Sequence, residues 1–158
     1  MAVFYSFHYE GDYARAQQIL QMGAIEGQRI LNAQEWESVK RSGKRAIENW
    51  IDDQMKYKSA VVVLVGTHTA SREWVNYEIR KAWNDRRPLV GIRIHGLKDL
   101  SQRTARPGAN PFAGFRLDNG ASLANRVPLH TPNGSDSRAV HRSIRLNLAR
   151  WVASAVKR

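Results

Sequence analysis

The chain has no cysteine among its 158 residues. Disulfides and thiolate metal sites are therefore excluded, and the fold must rest on packing alone. No apolar run approaches the roughly 18 residues that a membrane-spanning helix needs. Acidic residues are scarce, 14 against 25 Lys and Arg, which leaves a formal charge of +11. A field of that size suits an anionic partner: nucleic acid, acidic lipid, an acidic protein or a phosphate-bearing small molecule. The cations are scattered, with small groups at Lys40-Arg41, Arg86-Arg87 and Arg103 to Arg106, and no basic strand is interleaved with aromatics. That argues against an RNA-reading sheet, and no nucleic-acid partner is expected. Also missing are a Gly-rich phosphate fingerprint, a Walker loop, a Gly-x-Ser-x-Gly elbow, a zinc-protease motif and any internal repeat. The paired acids Asp52-Asp53 have no histidine at ligand spacing, so no metal site is expected. Met1 leads into a strand-like segment rather than a signal peptide. The expectation is one soluble, cytoplasmic domain over residues 1–158 that does not enter a membrane.

What is present is organised around Ser59-Ala-Val-Val-Val-Leu-Val-Gly66 and the stretch Ser71 to Trp83 after it. The first is β-branched, apolar at both alternating positions and ended by Gly66, which predicts a buried strand inside a parallel sheet. The second predicts a helix, with Ser71 as its N-terminal cap and Val75, Ile79, Ala82 and Trp83 forming the sheet-facing stripe. Glu78 falls about 60° from Val75, on the flank of that stripe and on the side shared with Ser71 and Trp74. Trp74, four residues earlier, is placed to cover the carboxylate and raise its proton affinity. Position alone fits a surface glutamate paired with Lys81 or a neighbouring helix better than it fits a site residue.

Residues 2 to 8, Ala-Val-Phe-Tyr-Ser-Phe-His, predict the first strand, and a loop ending at Asp12 then caps a helix from Tyr13 to Gln21. The carboxyl ends of parallel strands border the ligand crevice, which puts Ser6, Phe7 and His8 at its mouth. His8 there either hydrogen-bonds a substrate or satisfies nearby backbone. Ala24-Ile25 and Arg29 to Leu31 could pair as a short strand, and Asn32 to Glu37 offers the start of a helix, where Trp36 reads better as a core anchor than as a ligand-stacking group. Lys44 to Lys56 is an amphipathic scaffold helix, residues 88 to 95 a further strand, and residues 127 to 130 a short edge strand. The stretch from 97 to 126 is rich in Gly, Asn and Arg, and is expected to be less ordered than the helices. A last helix, capped by Ser135 or Asp136, runs to about Val156, and its outer arginines Arg138, Arg142 and Arg145 are either a solvated face or a partner surface.

Two stretches together resemble a known family: Val3-Phe4-Tyr5-Ser6-Phe7-His8-Tyr9 with Asp12, and Ser71 to Ile79 after a valine-rich strand. They are similar to TIR-like (Toll/interleukin-1 receptor-like) domains. Within that group, the end of the first strand, the Trp36 segment, the Ala46-Ile47 to Trp50-Ile51 helix and Asn110-Pro111-Phe112 most resemble the TIR-like subunit of bacterial Thoeris antiphage systems. The resemblance implies an α/β, flavodoxin-like three-layer fold with a central parallel sheet flanked by helices. It implies cleavage of NAD at the nicotinamide–ribose bond by a glutamate in a Trp-x-x-x-Glu arrangement, here Trp74 and Glu78. NAD is then a substrate, and no separate cofactor is expected. The implied partners are an effector protein reached through a diffusible cyclic ADP-ribose type nucleotide, a phage-derived trigger and further copies of the chain. Substrate contacts are expected from Ser6, Phe7 and His8 on the strand side and from Ser71, Trp74 and Tyr77 on the helix. The competing reading is a non-catalytic adaptor of the same fold, which has no need of a carboxylate beside Trp74.

Breaking a nicotinamide glycosidic bond passes through an oxocarbenium-like ribose, whose developing charge one carboxylate can stabilise. Nicotinamide departs as a neutral group from a cationic one and needs no acid assistance. On this reading Glu78→Gln, which keeps the shape and removes the charge, lowers NAD turnover by about 100-fold or more and leaves the fold intact. Wild-type turnover by that variant, measured as nicotinamide release, would reject the assignment.

Overall fold

The five strands of the computed structural model, which describes residues 2–158, all run parallel. They are β1 (Ala2–Ser6), β2 (Glu26–Gly27), β3 (Val61–Val65), β4 (Leu89–Arg93) and β5 (Leu129–His130), in the spatial order β2-β1-β3-β4-β5. That is the flavodoxin-like order, whose topological switch lies between β1 and β3. The central strand is the valine run, every residue of which is buried, with Phe4↔Val61 registering it on β1 and Val61↔Leu89 on β4.

Alternation along the strands sorts the core into two clusters. Val3, Tyr5, Val62, Leu64, Val90 and Ile92 face α1 (Tyr9–Gln21) and α5 (Ser137–Ala153). Phe4, Val61, Val63, Val65 and Leu89 face α2 (Ala33–Arg41), α3 (Lys44–Met55) and α4 (Glu73–Asn84). The result is the expected three-layer α/β architecture. Parity along β1 then decides where Ser6 points. It follows Phe4 by two residues and so lies on the α4 side.

Several boundaries differ from the sequence reading. The first strand ends at Ser6 rather than His8, and α1 begins at Tyr9 with His8 at its N-cap, the Asp12 amide donating to the His8 carbonyl at 2.8 Å. Asp12 marks a kink (φ −123°, ψ 16°) inside α1 instead of capping a later helix. Tyr9 stacks on Phe7 and on Trp36, with centroids 5.3 and 5.1 Å apart, an anchorage that holds this extra turn in place. The second strand is only Glu26–Gly27, between the two candidate segments. Beyond it the Gln28 side chain takes the strand's role: its Oε1 accepts from the Tyr5 amide and its Nε2 donates to the Tyr5 carbonyl, both at 2.8 Å. Ser71 does not cap α4. It sits in a 3₁₀ turn, Thr69–Ser71, with its hydroxyl donating to the His68 carbonyl. At the other end α5 stops at Ala153, and Val156 leaves it to pair antiparallel with Leu89.

The stretch from 97 to 126 is tied down more firmly than its composition suggests. Leu97, Phe112 and Leu123 are buried in the core, Asn110 Oδ1 accepts from the Phe112 amide, Thr67 donates to the Arg106 carbonyl, and Arg93 donates to the Gly108 carbonyl. Gly91 in β4 leaves the space that Phe112 fills: a Cβ there would stand 2.9 Å from the Phe112 ring. Phe112→Ala is therefore expected to lower unfolding free energy by ~3–5 kcal/mol, the usual cost of emptying a buried aromatic site, measured by denaturant unfolding.

Candidate active site

Glu78 and Ser6 meet at the topological switch. The Ser6 hydroxyl, at the carboxyl end of β1, donates to Glu78 Oε1 at 2.6 Å, linking residues 72 positions apart. Glu78 lies in the buried row of α4 with Val75, Ile79 and Ala82, and only 7% of its surface is exposed. No cation pairs with it among the described residues. Lys81, the partner a surface reading would give it, turns instead to Asp85 at 2.8 Å and Asp52 at 3.7 Å. Burial pushes the Glu78 carboxyl up to about 8, and the Ser6 hydrogen bond opposes that rise. At neutral pH the ligand-free site therefore holds mostly a carboxylic acid.

A cavity of about 270 Å³ opens over this carboxyl, lined by Phe7, His8, Tyr9, Trp36, Trp74 and Glu78 among others. Ligand cavities run from ~300 to 1,000 Å³, so this one is sized for part of a dinucleotide. Its walls are largely aromatic. Phe7, Tyr9 and Trp36 form a stacked series that continues edge-on to Trp50, whose ring lies 6.2 Å from Trp36. The Tyr9 hydroxyl is buried with no hydrogen-bond partner among the described residues. His8 is nearly buried, and its proton affinity is lowered first by burial and then by Arg72, so it stands neutral at the cavity edge. At the rim Lys40 is held by Glu10 and Glu37, each at 2.9 Å, and Glu73, also in the lining, pairs outward with Lys44. The Arg72 side chain enters no ion pair among the described residues.

Of the residues expected at the site, Phe7, His8, Trp74 and Glu78 line the cavity, and Ser6 touches it through Glu78. Ser71 and Tyr77 are not brought there. Ser71 is exposed in the turn before α4. Tyr77 packs edge-on against Trp74 but aims its hydroxyl at Asp52, 2.9 Å away, and burial followed by that bond raises it to about 12. Tyr9, Trp36 and Arg72 are lining residues that the sequence reading did not assign to the site. The aromatic run Phe7-His8-Tyr9 was a signal for Tyr9; nothing in the periodicity of Trp36 or Arg72 distinguished them.

A family model described as the TIR-like domain of Thoeris protein ThsB matches residues 4–99, a span that holds Ser6, the aromatic wall and Glu78. A Bacillus cereus (strain MSX-D12) protein named "Putative cyclic ADP-D-ribose synthase ThsB1" is 29% identical over 116 residues. The aligned region is 70% of this chain and 60% of that protein, so the chain spans less than two thirds of the relative it matches.

A buried acid leaves a mark on stability. Because the folded-state value of about 8 lies above the ordinary 4.5, the folded protein holds a proton that the unfolded chain gives up between those limits. Stability contributed by the neutral Glu78 is therefore whole below about pH 4.5, is lost as pH rises towards 8, and stays lost above it. Glu78→Gln removes the titration. The variant should match the wild type near pH 4.5, exceed it increasingly up to about pH 8 and hold a constant lead above that, by a few kcal/mol at most, in urea unfolding as a function of pH. A wild-type advantage at high pH would contradict the burial of the charge.

Proposed function

The chain belongs to the family of Thoeris ThsB TIR-like domains, and from that premise we propose that it cleaves NAD at the nicotinamide–ribose bond and closes the remaining ADP-ribose into a cyclic signal. The observation that carries the reading is a buried glutamate, with no cationic partner among the described residues, under an aromatic cavity at the switch point of the sheet. A pyridinium ring matches that environment on two counts. Its positive charge favours the ionised form of Glu78, and its face and charge suit the Phe7, Tyr9 and Trp36 walls. The substrate thus supplies a counter-charge that none of the described side chains gives Glu78.

In the reaction the C1′–N bond breaks and its electron pair leaves with nicotinamide, now neutral. The ribose carbon is left electron-poor, and the Glu78 carboxylate stabilises it in a site from which water is largely excluded. A nucleophile on the adenosine half then bonds to C1′ and gives up a proton, which Glu78 is placed to accept. Attack by water instead yields linear ADP-ribose. The Ser6 hydroxyl holds one carboxyl oxygen throughout, so the other oxygen is left to face the sugar. The product would act at a distance on an effector protein, in response to a phage-derived trigger and in an assembly of several copies, as the Thoeris context suggests.

The test is chromatography and mass spectrometry of NAD incubated with the purified protein. Nicotinamide release with a product one water lighter than ADP-ribose is expected, with no reaction of NADH, whose ring carries no charge. Because kcat/KM reports the free enzyme, it should rise about tenfold per pH unit below about 8 and level off above. A pH-independent rate between 6 and 9, or equal use of NADH, would reject the ionisation account.

A further inference from the structure

The aromatic cavity, about 270 Å³, is too small for both halves of a dinucleotide. A second cavity of about 300 Å³ adjoins it, and the two share His8 as a wall. It lies at the same carboxyl edge of the sheet, between the start of α1, the Thr67-His68 turn after β3 and the segment 99–105 that follows β4. Its frame is fixed. Arg15 is 4% exposed and spends its guanidinium on Asp12 at 2.8 Å, the Leu97 carbonyl at 2.8 Å and the Arg103 carbonyl at 3.0 Å. Asp12 in turn packs over Gly66 so closely that a Cβ there would stand 2.1 Å from its carboxylate.

The polar groups left over are what matter. The two carboxylates of this cavity are already occupied: Asp12 by Arg15, and Asp99 by the Ser101 and Arg103 amides at 2.8 and 3.0 Å. Arg103, His68 and Thr104 also line the cavity; all three are exposed, and their side chains enter no ion pair or hydrogen bond among the described residues. The ring of His68 stands edge-on to His8, centroids 6.4 Å apart, at the junction of the two cavities. The aromatic cavity itself is less suited to a diphosphate: Glu10, Glu73 and Glu78 line it, Lys40 is already held by two glutamates, and Arg72 is the cation of its lining without an ion pair among the described residues.

We infer that the second cavity receives the diphosphate and adenosine half of the dinucleotide, with Arg103 and His68 as its ligands, so that the substrate bends around His8. This rests on the NAD reading and extends it. A guanidinium paired with a diphosphate oxygen is a charge-assisted contact, stronger than a neutral one. The bend has a chemical consequence. An adenosine half folded into the neighbouring cavity stays close to the ribose carbon exposed when nicotinamide leaves, and proximity of that kind raises effective concentration far above what a free nucleophile reaches. The geometry thereby favours ring closure over hydrolysis.

Calorimetric titration with ADP tests the site without requiring turnover. ADP should bind the wild-type protein, and Arg103→Ala and His68→Ala should each weaken it by about tenfold or more, with Lys40→Ala close to wild type. Undetectable ADP binding, affinity unchanged by both cavity variants, or a loss confined to Lys40→Ala would overturn the inference. Nicotinamide release from NAD and from nicotinamide riboside is measured in parallel on the wild type. If neither is cleaved while ADP binds in the manner described, the NAD reading fails and the cavity stands as a nucleoside diphosphate site. If NAD is cleaved but ADP ignores Arg103 and His68, the cleavage reading stands and the bent pose falls.

Discussion

A hydrogen bond between a serine on the first strand and a glutamate on the fourth helix joins the sheet to its site. Ser6 meets Glu78 only because β1 lies beside β3 in the middle of the sheet, and because strand parity turns Ser6 to the same side as Phe4. A carboxyl group placed in the buried row of a helix would ordinarily be an error. It is tolerated here because the proton stays on, and because the serine hydroxyl meets part of its hydrogen-bonding requirement. The fold therefore favours the neutral acid, and a cation beside it favours the carboxylate that the chemistry needs.

That arrangement joins binding to activation. A pocket lined with a permanent carboxylate would attract any cation, including the abundant lysine and arginine side chains of this protein. A neutral acid behind aromatic faces discriminates instead for a flat, poorly hydrated cation that can enter and ionise it. The strongly basic surface does not contradict this, since Lys40 at the rim is held by Glu10 and Glu37, and of the arginines without an ion pair Arg72 lines the aromatic cavity without pairing with Glu78 while Arg103 lines the cavity proposed for phosphate.

Much of this was legible from residue order, and the limits are physical. The run Val61–Val65 could hardly be anything but an interior strand, and the apolar stripe of α4 fixed the flank on which Glu78 falls. The resemblance, not the periodicity, turned that flank position into a site. What escaped was whatever depends on contacts distant in sequence. Tyr9 joins α1 because Trp36, far along the chain, stacks on it; β2 is two residues long because the Gln28 amide completes the strand edge; Tyr77 turns away because Asp52 accepts its hydroxyl. Ser71 has a cap's chemistry, yet it is taken up by the 3₁₀ turn, which moves the N-cap one residue on, to Arg72. The segment 97–126 read as loose because its buried residues, Leu97, Phe112 and Leu123, are too far apart to show a period.

The central claim is that Glu78 is protonated in the resting protein, and the most direct measurement is a carbon-13 NMR titration of its side-chain carboxyl in the ligand-free state. The account predicts a midpoint near 8, moved further upward in Ser6→Ala, where the hydrogen bond that favours the ionised form is gone. A midpoint at the ordinary value of 4.5 would mean that Glu78 rests as a solvated carboxylate, and would contradict the account.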